Sequence, residues 1–168
     1  MAADADTPLP HRIAVLCDLR DAHGRVLLLR RTKEPNKGLY SPVGGKLRTD
    51  TGESPAQCAQ REIREEAGVE VPLSDLKLAG IVSEQGYEGT GHWLMFLYRA
   101  TRPVVVEPGP IDEGVLEWRR PEELERLPIP QTDREIIWPL LRRQQGRFFA
   151  VHIDCTNHEL RWRVEQAD

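Results

Sequence analysis

Between Ser54 and Gly68 the chain specifies one complete helix, with its start, its stop and its buried stripe all legible. Ser54 is placed to cap it, Pro55 suits the first turn, Gln57 completes a capping box, and Gly68 ends it in a left-handed turn. At about 100° per residue from Ile63, residues Ala56, Ala59 and Ala67 fall within roughly 40° and form the apolar face. Glu62, Glu65 and Glu66 fall at about −60° to −160°, and Arg61 and Arg64 at about +100° to +160° on the other flank. The spacing therefore predicts a helix whose two charge signs are segregated, preceded by a glycine turn at Gly44-Gly45.

Three carboxylates one turn apart or less, behind a glycine turn, are a means of holding Mg²⁺ against a diphosphate. Hydrolysis at phosphorus needs a cation to neutralise the oxygens and a base to deprotonate water. Mg²⁺ prefers oxygen ligands and is commonly held by one or two carboxylates plus substrate phosphate; Mn²⁺ accepts the same set. Glu62, Glu65 and Glu66 supply such oxygens, and the Gly45 carbonyl can join them because no side chain obstructs it. The competing reading is an ordinary solvated face, with Arg61 and Glu65 as an i,i+4 ion pair.

The string Arg61-Glu62-Ile63-Arg64-Glu65-Glu66-Ala67-Gly68-Val69, with Glu53 eight residues before Arg61, resembles the signature of the Nudix hydrolases. Seven residues, Lys46 to Gly52, separate Gly45 from Glu53, two more than the family pattern has, and the polar run Arg48-Thr49-Asp50-Thr51 accommodates them as a longer loop. The resemblance implies an α/β/α sandwich around a mixed β-sheet. It also implies Glu62, Glu65 and Glu66 with Gly45 as the Mg²⁺ site, catalysis through Glu65 and Glu66, and a structural pairing of Glu53 with Arg61. In similar proteins a loop acid after the helix adds a ligand or the base, and Glu113 in Asp112-Glu113-Gly114 is the best placed; a solvated loop glutamate is the alternative.

Arg31 matches the position where MutT-type members put a phosphate-binding arginine, and Gly38 to Lys46 resembles the segment before the signature in enzymes that clear oxidised purine nucleoside triphosphates. Ser41, Lys46 and Asp133 are accordingly expected at the substrate, with Tyr40 beneath the base; Tyr40 as plain core and Asp133 as a helix cap are the alternatives. The implied activity is hydrolysis of a nucleoside triphosphate, possible substrates including an oxidised dNTP, to monophosphate and pyrophosphate. ADP-ribose or dinucleotide cleavage is the alternative within enzymes, and a nucleotide sensor without turnover the alternative outside them.

The rest of the chain is consistent with one small enzyme domain at residues 11–168, after a loose acidic tail at 1–10. A net charge of −4 argues against a nucleic-acid polymer as partner and leaves a small nucleotide, with a homodimer compatible. Cys17, Cys58 and Cys155 are too widely spaced for a zinc site or a disulfide framework. No apolar stretch approaches the ~18 residues of a membrane span and the start has no leader-like core, so a cytoplasmic location is expected. Strands are predicted at 13–19, 26–31, 76–83, 92–100, 115–119, 148–153 and 160–164. The first two are expected to form a hairpin, as are the last two, with a Pro139-kinked helix at 133–143 before them.

Overall fold

The computed structural model describes residues 7–168. Of the expected tail, residues 1–6 lie outside the described part, and 7–10 are exposed, with the Pro10 carbonyl accepting from the His92 amide at 2.8 Å. Nine strands form one mixed sheet: β1 His11–Asp18, β2 Val26–Arg31, β3 Tyr40–Lys46, β4 Leu76–Tyr87, β5 Gly91–Ala100, β6 Gly109–Ile111, β7 Gly114–Arg119, β8 Phe149–Asp154 and β9 Arg161–Ala167. Their order is β6-β7-β2-β3-β1-β5-β4-β8-β9, with β1 parallel to β5, β4 parallel to β8, and the other pairs antiparallel.

Strand alternation sorts the apolar side chains into two cores. Val15, Cys17, Leu27 and Leu29 pack on one face with Cys58, Ala59 and Ile63, whereas Ala14, Val26 and Leu28 pack on the other with Ile136, Ile137, Trp138 and Leu141. The first set belongs to helix α1, Pro55–Glu62, and the π turn Ile63–Ala67 that continues it; the second to the π turn Asp133–Ile137 and helix α2, Trp138–Gln144. A mixed sheet with helical layers on both faces is the expected sandwich. Among the described residues no helix is long and apolar enough to cross a membrane.

Three local expectations are corrected. β1 and β2 pair only at the base of their turn, through an antiparallel Arg20–Val26 bridge and the Leu27 amide donating to the Leu19 carbonyl at 3.0 Å; beyond it β3 runs between them, with Val15 opposite Gly45 and Leu29 opposite Ser41. The turn itself forms, with the Gly24 amide donating to the Asp21 carbonyl at 3.0 Å, but turn residues fix a local reversal and not the partner of each strand. Gly44 and Gly45 are likewise no turn but part of β3. A Cβ at Gly44 would overlap the Val15 carbonyl, so glycine is what lets the two strands lie together there. Finally, the signature helix is not α-helical throughout, because its last turn, Ile63–Ala67, is a wide π turn.

The ends of that helix are as expected. Ser54 Oγ accepts from the Gln57 amide at 3.2 Å, Gln57 Oε1 accepts from the Ser54 amide at 3.0 Å, and Gly68 is left-handed at φ 71°. The late helix shows a related device. Pro139, which has no N–H, stands in the first turn of α2 directly after a π turn, so the widened segment absorbs the missing bond in place of a kinked α-helix. The β8–β9 hairpin forms with Ile153 opposite Trp162, while β6 occupies part of what was expected as loop.

Candidate active site

Arg61 organises the helix end. It is buried, and its guanidinium donates from Nε to Glu53 Oε1 at 2.6 Å and from Nη2 to Glu53 Oε2 at 3.0 Å. Nη1 reaches Glu62 Oε1 at 2.7 Å and Glu65 Oε2 at 3.1 Å, and Nη2 also reaches the Lys46 carbonyl at 3.2 Å. The charge signs are therefore not segregated: Arg61 and Glu65 are i,i+4 neighbours about 40° apart round the helix, and the guanidinium reaches Glu53, Glu62 and Glu65 together. Glu53 is held down to about 2, first by its hydrogen bond from Arg61.

Two neighbouring glutamates in the π turn face different ways. Glu65 is exposed and taken up by Arg61 and by Arg48 Nη2 at 3.2 Å. Glu66 is 7 % exposed and accepts from the Gly44 amide at 3.3 Å. Burial pushes the Glu66 carboxyl up to about 8, helped by the charges of Glu113 and Glu62. Glu62 is raised too, by burial first, against the pull of Arg61. A Cβ on Gly45 would fall on the Glu62 carboxylate, so the bare glycine is what admits that side chain against β3.

Glu113 lies in the turn between β6 and β7, half-exposed, close enough for its charge to bear on both Glu62 and Glu66. Glu62, Glu66 and Glu113 thus meet electrostatically at the Gly44–Gly45 segment, while Glu65 is turned towards arginines. Among the described residues no three His, Cys, Asp or Glu side chains converge as a ready cation cage. The donors are nonetheless all hard oxygens crowded beyond what Arg61 neutralises, with the Glu62 carboxylate packed against Gly45 and the Gly45 carbonyl accepting from the Cys58 thiol at 3.8 Å. That donor chemistry fits a hard divalent cation.

A cavity of about 350 Å³ runs from Gly44 and Gly45 towards the start of the late helix. Arg31, Ser41, Lys46 and Asp133 all line it. Arg31 Nε donates to the Pro35 carbonyl at 2.7 Å and Nη1 lies 3.6 Å from Glu113, which puts the guanidinium at the carboxylate end. Lys46 Nζ sits 5.8 Å from the Trp93 ring centroid. Tyr40 is not brought to the cavity. It is buried in the core, its hydroxyl donating to Glu117 Oε2 at 2.9 Å and accepting from Arg119 Nη2 at 2.9 Å.

Asp133 is not a cap. Thr132 holds the N-cap position without a side-chain cap bond, and Asp133 Oδ1 accepts from the Thr132 hydroxyl at 3.4 Å. Burial pushes Asp133 up to about 7, and the charge of Glu84 adds to it. Glu84 and Trp93, which also line the cavity, were not legible as site residues. The one available signal for Glu84 was an acid adjoining the apolar run Leu76 to Ser83.

A family model described as "NUDIX domain" matches residues 10–138. The chain is 29 % identical over 114 residues to "Uncharacterized Nudix hydrolase YvcI" of Bacillus subtilis (strain 168), a match covering 67 % of this chain and 69 % of that protein. It is 33 % identical over 128 residues to "NAD-capped RNA hydrolase NudC" of Stutzerimonas stutzeri (strain A1501), covering 74 % of this chain but only 43 % of that one. Among solved structures, the MutT protein of Bacillus halodurans superposes with a TM-score of 0.71 at 28 % identity, covering 92 % of this chain and 97 % of that one.

Proposed function

The chain belongs to the Nudix family, whose hydrolases act on nucleoside diphosphate-linked substrates, and from that premise we propose that it is an Mg²⁺-dependent diphosphatase cleaving a nucleoside triphosphate to monophosphate and pyrophosphate. One observation carries the reading: Glu66, buried, bears the charges of Glu62 and Glu113 and accepts from the amide of Gly44, a residue that lines a cavity together with Arg31 and Lys46. Glu62, Glu65, Glu66 and the Gly45 carbonyl would hold the cation, which supplies charge neutralisation on the phosphate oxygens.

Arg31 and Lys46 bind the phosphate chain and leave the neutral base to the far end of the cavity. Of the candidate bases, Glu66 accepts from the Gly44 amide, and burial, helped by the charges of Glu113 and Glu62, raises it towards the range in which a carboxylate accepts a proton from water. Arg61 positions Glu62 and Glu65 and, through Glu53, the loop before the helix. An oxidised dNTP is the leading substrate. The similarity to a protein named for NAD-capped RNA favours dinucleotide cleavage as the second reading.

The test is product analysis over dGTP, 8-oxo-dGTP, dATP, dCTP, dTTP, ADP-ribose and NAD, with Mg²⁺ and with EDTA. Cation-dependent release of pyrophosphate from a triphosphate is the expected result. Cleavage confined to ADP-ribose or NAD would move the assignment to the second reading, and binding without any cleavage would place the chain among sensors.

A further inference from the structure

A second cavity, of about 260 Å³, opens beside the late helix and shares no lining residue with the cavity described above. Four arginines line it: Arg20 just after β1, Arg99 near the end of β5, Arg134 in the π turn and Arg142 in α2. Leu124, Trp138 and Leu141, all buried, give the same cavity an apolar wall.

The charges around it are not balanced. Arg20 and Arg99 converge on a single carboxylate, Asp18, whose side chain is 2 % exposed: Arg20 Nε donates to Oδ1 at 3.0 Å and Arg99 Nε to Oδ2 at 2.8 Å. These contacts use Nε and Nη2 of each guanidinium, and Nη1 of Arg99 lies beside Gly146, where a Cβ would come within 2.9 Å of it. One carboxylate offsets only one of the two arginines. Arg142 pairs with Glu125 at 2.7 Å and Arg134 with Glu135 at 3.4 Å, but both acids are exposed, and such pairs hold weakly. The chain as a whole carries −4, yet residues 134–147 hold four arginines against one glutamate.

We propose that this cavity is a second ligand site, taking a small oxyanion, phosphate or carboxylate, that carries a flat ring. A concave site with an apolar wall and a few convergent polar groups is the general form of a small-molecule site. The head group meets the excess charge of Arg20 and Arg99, since a planar guanidinium donates in pairs to such oxygens, and Arg134 and Arg142 add to the attraction. The ring displaces water from the wall formed by Leu124, Trp138 and Leu141. None of these residues belongs to the proposed catalytic or metal site, so the inference stands apart from what the other cavity cleaves.

Binding is read from the indole N–H signals in nitrogen-15 spectra of the full chain without divalent cations, with phenyl phosphate and benzoate as probes. Trp138 reports this cavity and Trp93 the nucleotide cavity, and Trp138→Phe and Trp93→Phe assign the two signals. At least one probe should shift the Trp138 signal saturably, and the one that binds tighter identifies the head group. Arg20→Gln and Arg99→Gln should each weaken that binding by roughly tenfold or more, the loss of a charge-assisted contact. Inorganic phosphate and acetate, the same heads without a ring, should bind about tenfold weaker than phenyl phosphate and benzoate. Should both glutamine variants fail to fold, Arg142→Glu, at an exposed position, carries the affinity test. Absence of any saturable Trp138 shift overturns the site, and so does an affinity unchanged in the folded arginine variants. Equal affinities with and without the ring overturn the ligand class.

Discussion

Arg61 holds Glu53 through two parallel hydrogen bonds, of 2.6 and 3.0 Å, with each side chain only 10 % exposed. Such a fork is the strong form of a carboxylate pair, and removing one partner strands the other in the interior. Arg61→Ala should therefore cost roughly 3–5 kcal/mol in urea unfolding. Glu53 sits at about 2 when folded against an ordinary value of about 4.3. Its folded value is the lower one, so this contribution is complete above the ordinary value and is lost as pH falls towards 2. The Tm of the wild type should drop more steeply from pH 5 to pH 2 than that of Glu53→Gln.

The two glycines of β3 should fail differently. A methyl group at Gly44 meets backbone, the Val15 carbonyl, and at Gly45 it meets the Glu62 carboxylate. Gly44→Ala should lower Tm sharply, whereas Gly45→Ala should fold, displace Glu62 and lower kcat. Thermal melts beside steady-state kinetics separate the two; full activity in Gly45→Ala would show that the Glu62 position is unimportant.

The lengthened loop is an exposed 3₁₀ turn, Thr49–Thr51. Deleting Thr49 and Asp50 should leave activity within a fewfold, because shortening a loop costs little entropy and Arg48, which donates to Glu53 and Glu65, is retained. Inactivity of a folded deletion variant would mean that the longer turn shapes the site.

Asp133→Ala should change the ratio of kcat/KM between purine and pyrimidine triphosphates tenfold or more, since a lost buried partner is worth roughly 1–3 kcal/mol. The folded value of Asp133, about 7, is above its ordinary one, so its contribution to stability is lost as pH rises towards 7. Asp133→Asn should accordingly gain Tm relative to the wild type at pH 8 over pH 5. An unchanged substrate ratio would remove Asp133 from the base.

The parts legible in the sequence were those set by neighbours along the chain. Ser54, Gln57 and Gly68 wrote the helix ends because caps act within one turn, and Arg61 with Glu53 was readable from the signature. Strand partnership was not legible: the Asp21 to Gly24 turn gives no sign that β3 will enter between β1 and β2. The π turn at Ile63–Ala67 was hidden because its residues have ordinary helical propensities, whereas the burial of Glu66 and exposure of Glu65 follow the helical angles, which set Glu66 nearer the apolar face. Tyr40 was misplaced by the expectation of a base platform, since only the fold shows Glu117 and Arg119 taking its hydroxyl. Glu84 belongs to no motif, and its meaning comes from a cavity that five strands and the start of the late helix build together.

The most direct test of the catalytic account is pyrophosphate release by wild type and Glu66→Gln, measured on the same nucleoside triphosphate at saturating Mg²⁺ and in EDTA, with circular dichroism to confirm both folds. The wild type should turn over only with the cation, and Glu66→Gln should be slower by ~10²-fold or more, as expected where a charged oxygen is removed from the reacting centre. A folded Glu66→Gln that keeps more than half of wild-type turnover, or wild-type cleavage that persists in EDTA, would contradict the account.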